Sequence, residues 1–255
     1  MFQIEVAGLA IHIENRFENV RHLCHGYITR AEQRADIVVS VSDEEIKKEQ
    51  EKEPGTVHND GYTESVIVYE KISNALAAFD AFVMHSAVVE VNGKAYAFAA
   101  ESGMGKTTHI RYWKEVLGDR VKVINGDKPI FRFISKIDYL LTDSKPSSGM
   151  SDNEKTLYAF GTPWCGKEGW QENTYAPLKA LCLLERGEKN EIFPEDPFVY
   201  LGELMKHFHL PGEGLVYMPK LIGLIDCMIS TIPVYRLRCT NDRSAAEMVI
   251  SYFEL

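Results

Sequence analysis

Residues 85–113 read HSAVVEVNGKAYAFAAESGMGKTTHIRYW, and the order of residue types in this stretch decides the fold. Asn92-Gly93 lies between two runs of alternating apolar residues. That is a strong hairpin signal, because a type I′ turn needs positive φ at both central positions. A two-residue turn pairs Val91 with Lys94, and counting down the ladder sets Ser86 opposite Ala99 and His85 opposite Ala100. The second strand runs straight into AESGMGKT, residues 100–107, which fits G-x-x-x-x-G-K-[ST] with Ala100 in place of the first glycine. THIRYWKEVLG then reads as a helix ended by Gly118.

Each residue type in this loop suits the cradling of a phosphate. Gly103 and Gly105 let successive backbone N–H groups turn inward around an anion, and a helix N-terminus adds a favourable dipole. Lys106 is placed to reach the β- and γ-phosphates, and the Thr107 hydroxyl to ligate Mg²⁺. Glu101, Ser102, Met104 and Thr108 complete the expected nucleotide-contacting set. The chain carries no N-K-x-D base-recognition motif, which excludes an ordinary GTPase. ALCLLE, ending at Glu185, imitates the acid-terminated strand of motor ATPases, but any buried strand meeting a polar loop does the same. Asp127 in VINGDKP is the better acid, because it follows a strand C-terminus, where α/β sheets place their ligand crevice. A carboxylate there can ligate Mg²⁺ or accept the proton of an attacking hydroxyl.

The surrounding 255 residues are 45 % hydrophobic and 25 % charged, with 28 Lys plus Arg against 37 Asp plus Glu and a net charge of −9. That balance argues against a nucleic-acid partner, which demands a basic face. No apolar run approaches the ~20 residues that cross a bilayer. The N-terminus lacks a basic start followed by an apolar block, so FQIEVAGLAIHIE reads as an opening strand and not as a signal peptide. Five scattered cysteines without C-x-x-C spacing suit reduced thiols in a cytoplasmic protein. His22, Cys24 and His25, like His207 and His209, form clusters too short to hold zinc alone.

Along the chain, ADIVVSVS reads as a second strand, DEEIKKEQEKE as a solvated helix or loop ended by Pro54-Gly55, and ESVIVYEKISNALAAFDAF as a helix. VKVINGD, PIFRFI, KALCLLERG and IPVYRLRC read as strands. PFVYLGELMKHF, LVYMPKLIGLIDCMI and DRSAAEMVISYF read as amphipathic helices. Interleaved strands and helices with a hairpin imply an α/β fold on a mixed sheet. A boundary near Ala81 divides a small N-terminal α/β appendage, residues 1–80, from a nucleotide-binding core, residues 81–255.

The stretch MHSAVVEVNGKAYAFAAESGMGKTTH resembles the catalytic domain of HPr kinase/phosphorylase. In that family a histidine begins the strand before the loop, a second strand runs in, and the loop reads acid-S-G-x-G-K-[ST]. Here those elements are His85, the Asn92-Gly93 hairpin, and Glu101 through Thr107. The related ATP-dependent phosphoenolpyruvate carboxykinases carry S-G-x-G-K-T-T, as Ser102 to Thr108 do here. The resemblance therefore implies a mixed-sheet P-loop kinase core. In HPr kinases a strand ends in paired aspartates. This chain has Gly126-Asp127, so Asp127 alone carries over. In place of the family's glycine-rich signature stands YAFGTPWCGKEGW, residues 158–170. Lys167 and Glu168 there are candidate substrate residues and Trp164 a candidate pocket wall, whereas Cys165 has no His–acid relay. Arg236 and Arg238 alternate on one strand face, and Arg236 is a further candidate for neutralising transferred charge.

The expected function is an ATP- and Mg²⁺-dependent kinase that transfers the γ-phosphoryl group to a hydroxyl. The loop and Lys106 hold the polyphosphate, Thr107 and Asp127 hold the metal, and Asp127 with His85 takes the proton. The acceptor is a serine of a protein or peptide, or a small hydroxy metabolite. No membrane or nucleic acid is implied, and a homo-oligomer stays open. A non-catalytic ATP sensor or docking module and a carboxykinase-like enzyme stand as alternatives.

Overall fold

The computed structural model describes residues 1–30, 34–52, 58–135, 155–211 and 215–255. The chain opens with β1 (Phe2–Val6) and β2 (Leu9–Glu14), paired antiparallel with Ile4 opposite Ile11. The stretch expected to be one strand is thus a hairpin, turning at Ala7 (φ 55°) and Gly8 (φ 68°). Alanine in a left-handed turn position gives no turn signal, so the apolar alternation looked continuous. After α1 (Glu18–Leu23), β3 (Ile37–Ser40) joins β2 in parallel.

The charge-dense stretch forms α2 (Asp43–Gln50). Its capping box pairs the Ser42 hydroxyl with the Glu45 N–H, and the Glu45 carboxylate with the Ser42 N–H. Pro54-Gly55 lies outside the described residues. Helix α3 (Asp60–Ala75) is capped by Asn59. It ends earlier than its apolar spacing implied, because Asp80 takes a left-handed conformation (φ 57°) and β4 (Ala81–Val83) claims the tail. One apolar cluster joins Ile4, Ile11, Val68 and Ile72 to Ala81, Ile130 and Phe160, so it extends across Ala81.

The larger sheet contains β5 (Ser86–Val91), β6 (Lys94–Ala99), β7 (Val121–Asn125), β8 (Ile130–Ser135), β9 (Lys155–Phe160) and β10 (Tyr175–Arg186). Among the described residues the order is β4-β8-β9-β10-β6-β5-β7. On the edge opposite β6, past its pairing with β9, β10 also carries β12 (Val234–Cys239), which carries β11 (Glu191–Pro194). Strand β10 is the pivot. Tyr175–Pro177 pairs antiparallel with β9, and the residues beyond pair parallel with β6 and β12, so the mixed sheet curls around this one strand. The hairpin of β5 and β6 has the expected register, Val91 opposite Lys94 and Ser86 opposite Ala99, with Asn92 at φ 53° and Gly93 at φ 74°.

Alternation along β6 divides the core. Ala95, Ala97 and Ala99 face Leu181, Leu183 and the helix Met218–Thr231, through Ile225 and Met228. Tyr96 and Phe98 face α4 (Lys106–Leu117) through Ile110 and Trp113, and the helix Arg243–Tyr252 through Ala246 and Val249. The helix expected across 197–208 is confined to Leu201–Met205. Tertiary pairing takes the rest: Phe208 bridges Met84, the His85 N–H donates to the His207 carbonyl at 2.6 Å, and the His209 N–H donates to Val83 at 3.0 Å. His109 is a satisfied core histidine. It accepts from the Trp113 indole at 3.0 Å, and burial pushes its pKa down to about 3.

Trp113 has no exposed surface and joins α4 to Phe98 edge-on at 5.5 Å. Trp113→Ala should cost about 3–5 kcal/mol of stability, measurable as a lower midpoint in urea unfolding. A loss under about 1 kcal/mol would mean that this contact does not hold α4 to the sheet.

Candidate active site

Strand β6 delivers the chain into the glycine-rich loop, and α4 receives it. Gly103 (φ 80°) and Gly105 (φ 106°) adopt backbone angles that side chains with a Cβ rarely take. The first helical bond runs from the His109 N–H to the Gly105 carbonyl at 2.9 Å, so the N–H groups of the preceding turn lack intrahelical partners. With the helix dipole they make this end of a twelve-residue helix favourable to an anion. Lys106 is buried, and its Nζ reaches back across the loop to donate to the Ala100 carbonyl at 2.8 Å. Thr107 and Thr108, half-buried, follow it in the first turn. Glu101 and Ser102 are exposed, and Met104 packs against the apolar face under α4.

Beside this loop the structure brings together His85 and Asp127. The imidazole Nε2 lies 2.9 Å from the Asp127 Oδ1, and the Ser86 N–H donates to the Asp127 carbonyl at 3.0 Å. The turn carrying Asp127 is fixed by Asn125, a fully buried residue that the sequence reading passed over. Its Oδ1 accepts from the N–H groups of Asp127 (2.8 Å) and Lys128 (2.7 Å), and its Nδ2 donates to Thr162 Oγ1 and the Thr162 carbonyl, each at 3.1 Å. The available signal was an Asn-Gly-Asp run at a strand end, since Asn side chains commonly bond their own backbone two residues on. The same amide therefore ties residues 162–166 to the site. A Cβ built on Gly166 would lie 3.3 Å from the Asp127 Cβ. The first residues of the segment expected to be a loop from 158, Tyr158–Phe160, instead finish β9.

The charges interact. Burial pushes the Asp127 carboxyl up, but the His85 hydrogen bond and the charges of His85, Lys128 and Lys106 outweigh it and hold the group below the usual carboxylate range. Burial lowers the Lys106 pKa, and Asp127 partly offsets that. His207, set aside at the sequence level as a weak metal cluster, is buried here, and burial together with the charges of His85 and Lys106 lowers its pKa. Its place could not be read from the sequence, because only the pairing of residues 207–209 with 83–85 brings it in.

The other candidates are dispersed. Lys167 is exposed, and Glu168 lies 3.7 Å from Arg111. Arg236 is buried in a carboxylate network: Nη1 and Nη2 bond Glu203 at 2.8 and 3.1 Å, Nε bonds Glu195 at 2.9 Å, and Tyr200 stacks on the guanidinium. Its fork is filled, which suits a structural hub better than the neutralisation of a transferred group. Glu185 is likewise tied to Arg238 at 2.6 Å. Burial raises the Cys165 pKa and Asp127 adds to the effect, which makes this thiol a poorer nucleophile than a free cysteine.

Neither a family model nor a curated protein sequence matches the chain. Among solved structures it is distantly similar to the HPr(Ser) kinase/phosphatase from Coxiella burnetii, at 7 % identity and a TM-score of 0.35, over 68 % of this chain and 88 % of that one. A likeness that distant says nothing about activity. Among the described residues no helix is long and apolar enough to cross a membrane, and no group of three or more His, Cys, Asp or Glu could hold a metal.

Because the folded Asp127 carboxyl lies below its unfolded value, its contribution to stability is fully present above about pH 4–5 and is lost as pH falls through the folded value. Wild type and Asp127→Asn should therefore differ in urea unfolding at pH 7, and the gap should close as the pH falls through the folded Asp127 value, below the usual carboxylate range. A gap that persists in acid would show that the contact with His85 is not its source.

Proposed function

We propose that the chain is an ATP- and Mg²⁺-dependent phosphotransferase acting on a hydroxyl. One observation carries this reading: the His85–Asp127 pair, 2.9 Å apart, stands beside a glycine-rich turn whose buried Lys106 feels the same carboxylate. Backbone N–H groups of residues 102–107 and the Lys106 ammonium are suited to a polyphosphate. Asp127 stays ionised at neutral pH. One of its oxygens is held by His85, which leaves the other to orient an incoming hydroxyl and take its proton.

The Thr107 hydroxyl and the Asp127 carboxylate are hard oxygen donors, and a pair of protein ligands fits Mg²⁺, which keeps several waters and phosphate oxygens. Bound there, the metal would neutralise charge on the polyphosphate. Transfer of this kind is mainly positioning, so the small number of groups assembled here suffices.

Incubation with Mg-ATP and hydroxyl acceptors, followed by ³¹P NMR, should show ADP and a phosphate ester. Lys106→Ala and Asp127→Asn should each lower turnover by about 10²-fold or more. Tight Mg-ATP binding without transfer to any hydroxyl would replace this reading with a nucleotide sensor. ADP release that is independent of acceptor and indifferent to Asp127→Asn would remove the phosphotransferase mechanism.

A further inference from the structure

His207 is a buried titratable group at the candidate site, 5 % exposed, that the proposed chemistry does not use. Its backbone is fixed on both sides. The His207 N–H donates to the Leu204 carbonyl at 3.0 Å, at the end of the short helix Leu201–Met205, and the His207 carbonyl accepts from the His85 N–H at 2.6 Å. One residue on, Phe208 bridges Met84 and sets its ring 5.5 Å from that of Phe82. One residue back, the Lys206 ammonium lies 3.6 Å from Glu101, early in the glycine-rich loop. Residues 206–208 therefore reach from the loop to the start of the strand that follows His85, and His207 stands between the two.

Among the described residues no group hydrogen-bonds the His207 ring. Two carboxylates act on it, Glu203 and Glu101, but both are engaged elsewhere. Glu203 gives its two oxygens to the Arg236 guanidinium at 2.8 and 3.1 Å, and Glu101 faces Lys206. Lys106 and His85 act on the ring with the opposite sign, so it lies in the field of both the loop and the His85–Asp127 pair. Its nitrogens are not sealed off as the orphaned Tyr27 hydroxyl and Gln171 side-chain carbonyl are. Buried polar groups are nearly always paired, and one left unpaired at a ligand crevice points to a bond made when the ligand is present. Burial and the two nearby cations keep the ring neutral at pH 7, where it still carries one N–H.

Resting on the phosphotransferase reading, we infer that His207 is a further ligand of the transferred group, its ring N–H donating to an oxygen of the γ-phosphate. The loop and Lys106 hold the β- and γ-phosphates together and so grip a triphosphate and a diphosphate partly by the same bonds. His207 adds a bond at the γ end alone, because it lies toward His85 and Asp127, where the acceptor attacks. It moves no proton. A hydrogen bond to a charged oxygen is stronger than one between neutral partners, and a neutral donor supplies it without a further cation competing with Lys106 for Asp127. Once the phosphoryl group has passed to the acceptor the bond no longer holds the nucleotide, and ADP is bound less tightly than ATP.

Histidine-ring ¹⁵N NMR on the full chain tests this contact without turnover. The Mg²⁺ complex of the unreactive β,γ-imido analogue of ATP should shift the His207 ring resonances, and Mg-ADP should leave them in place. Calorimetry reads the same bond as an affinity. His207→Phe, checked for folding by urea unfolding, should weaken binding of the imido analogue by about tenfold and leave ADP binding unchanged. His207→Gln keeps an N–H donor and should lose less. His207 resonances that stay in place with the imido analogue bound, or an equal loss for analogue and ADP in His207→Phe, would overturn the inference. The wild-type titration separates the two failures. If neither nucleotide binds, the phosphotransferase reading falls and the role of His207 falls with it. If the imido analogue binds and Mg-ATP phosphorylates a hydroxyl while His207 stays unmoved, the assignment of His207 alone falls.

Discussion

The buried carboxamide of Asn125 is the constraint on which the arrangement of the site depends. Five hydrogen bonds hold this side chain from two directions: its Oδ1 accepts from the N–H groups of Asp127 and Lys128, and its Nδ2 donates to both oxygens of Thr162 and to the Trp164 carbonyl. A buried amide with its capacity used is worth keeping, since each orphaned partner costs about 1–3 kcal/mol. The geometric effect is larger than the energetic one. Together with the bonds from the Ser86 N–H to the Asp127 carbonyl and from the Gly126 N–H to the Trp170 carbonyl, the amide fixes the turn between β7 and β8 and with it the Asp127 carboxylate. Because the same amide grips residue 162, the 162–166 segment is drawn over the turn, and Gly166 comes within van der Waals reach of Asp127. The acid is held from below by its own strand and from the side by a segment distant in sequence.

The edge formed by residues 207–209 works in the same way on His85. The hydrogen bond from the His85 N–H to His207 and the bridge from Met84 to Phe208 fix the backbone before the hairpin begins. His85 is thus aimed from its backbone and its side chain is free to meet Asp127. Helix formation over 197–208 would have removed these bonds. The short helix Leu201–Met205 is what remains when sheet pairing wins over the amphipathic pattern, as tertiary context commonly overrides local propensity.

Features built from neighbouring residues were legible in the sequence. Asn92-Gly93 specified its own turn, and with it the register that sets Ser86 against Ala99. Gly103, Gly105 and Lys106 announced a tight turn into a helix. The mixed sheet followed from hairpin and helix signals side by side. What failed was non-local or chemically silent. Ala7 supplies a left-handed turn residue with no side-chain signature, which hid the first hairpin. The strand pairing of Phe208 truncated a helix whose own residues favoured it. His207 and Asn125 gain their places from partners about 120 and 40 residues away, separations that no periodicity reports.

Two clusters of charge show how the fold separates structural from reactive groups. Around Arg236 three carboxylates, Glu185, Glu195 and Glu203, surround one guanidinium, and each hydrogen bond on its fork has a partner. Burial works against that charge, but Glu203 and Glu195 more than restore it, so the cluster is complete in itself. The group around Lys106 has the opposite stoichiometry. Lys106, His85 and Lys128 all act on the one carboxylate of Asp127, and His207 is disfavoured from charging by two of the same neighbours. Lys106 and Lys128 thus share the field of Asp127, while Glu203 and Glu101 act on the neighbouring His207. A polyphosphate at the loop would meet the Lys106 ammonium without adding a second buried carboxylate to compete with Asp127 for His85.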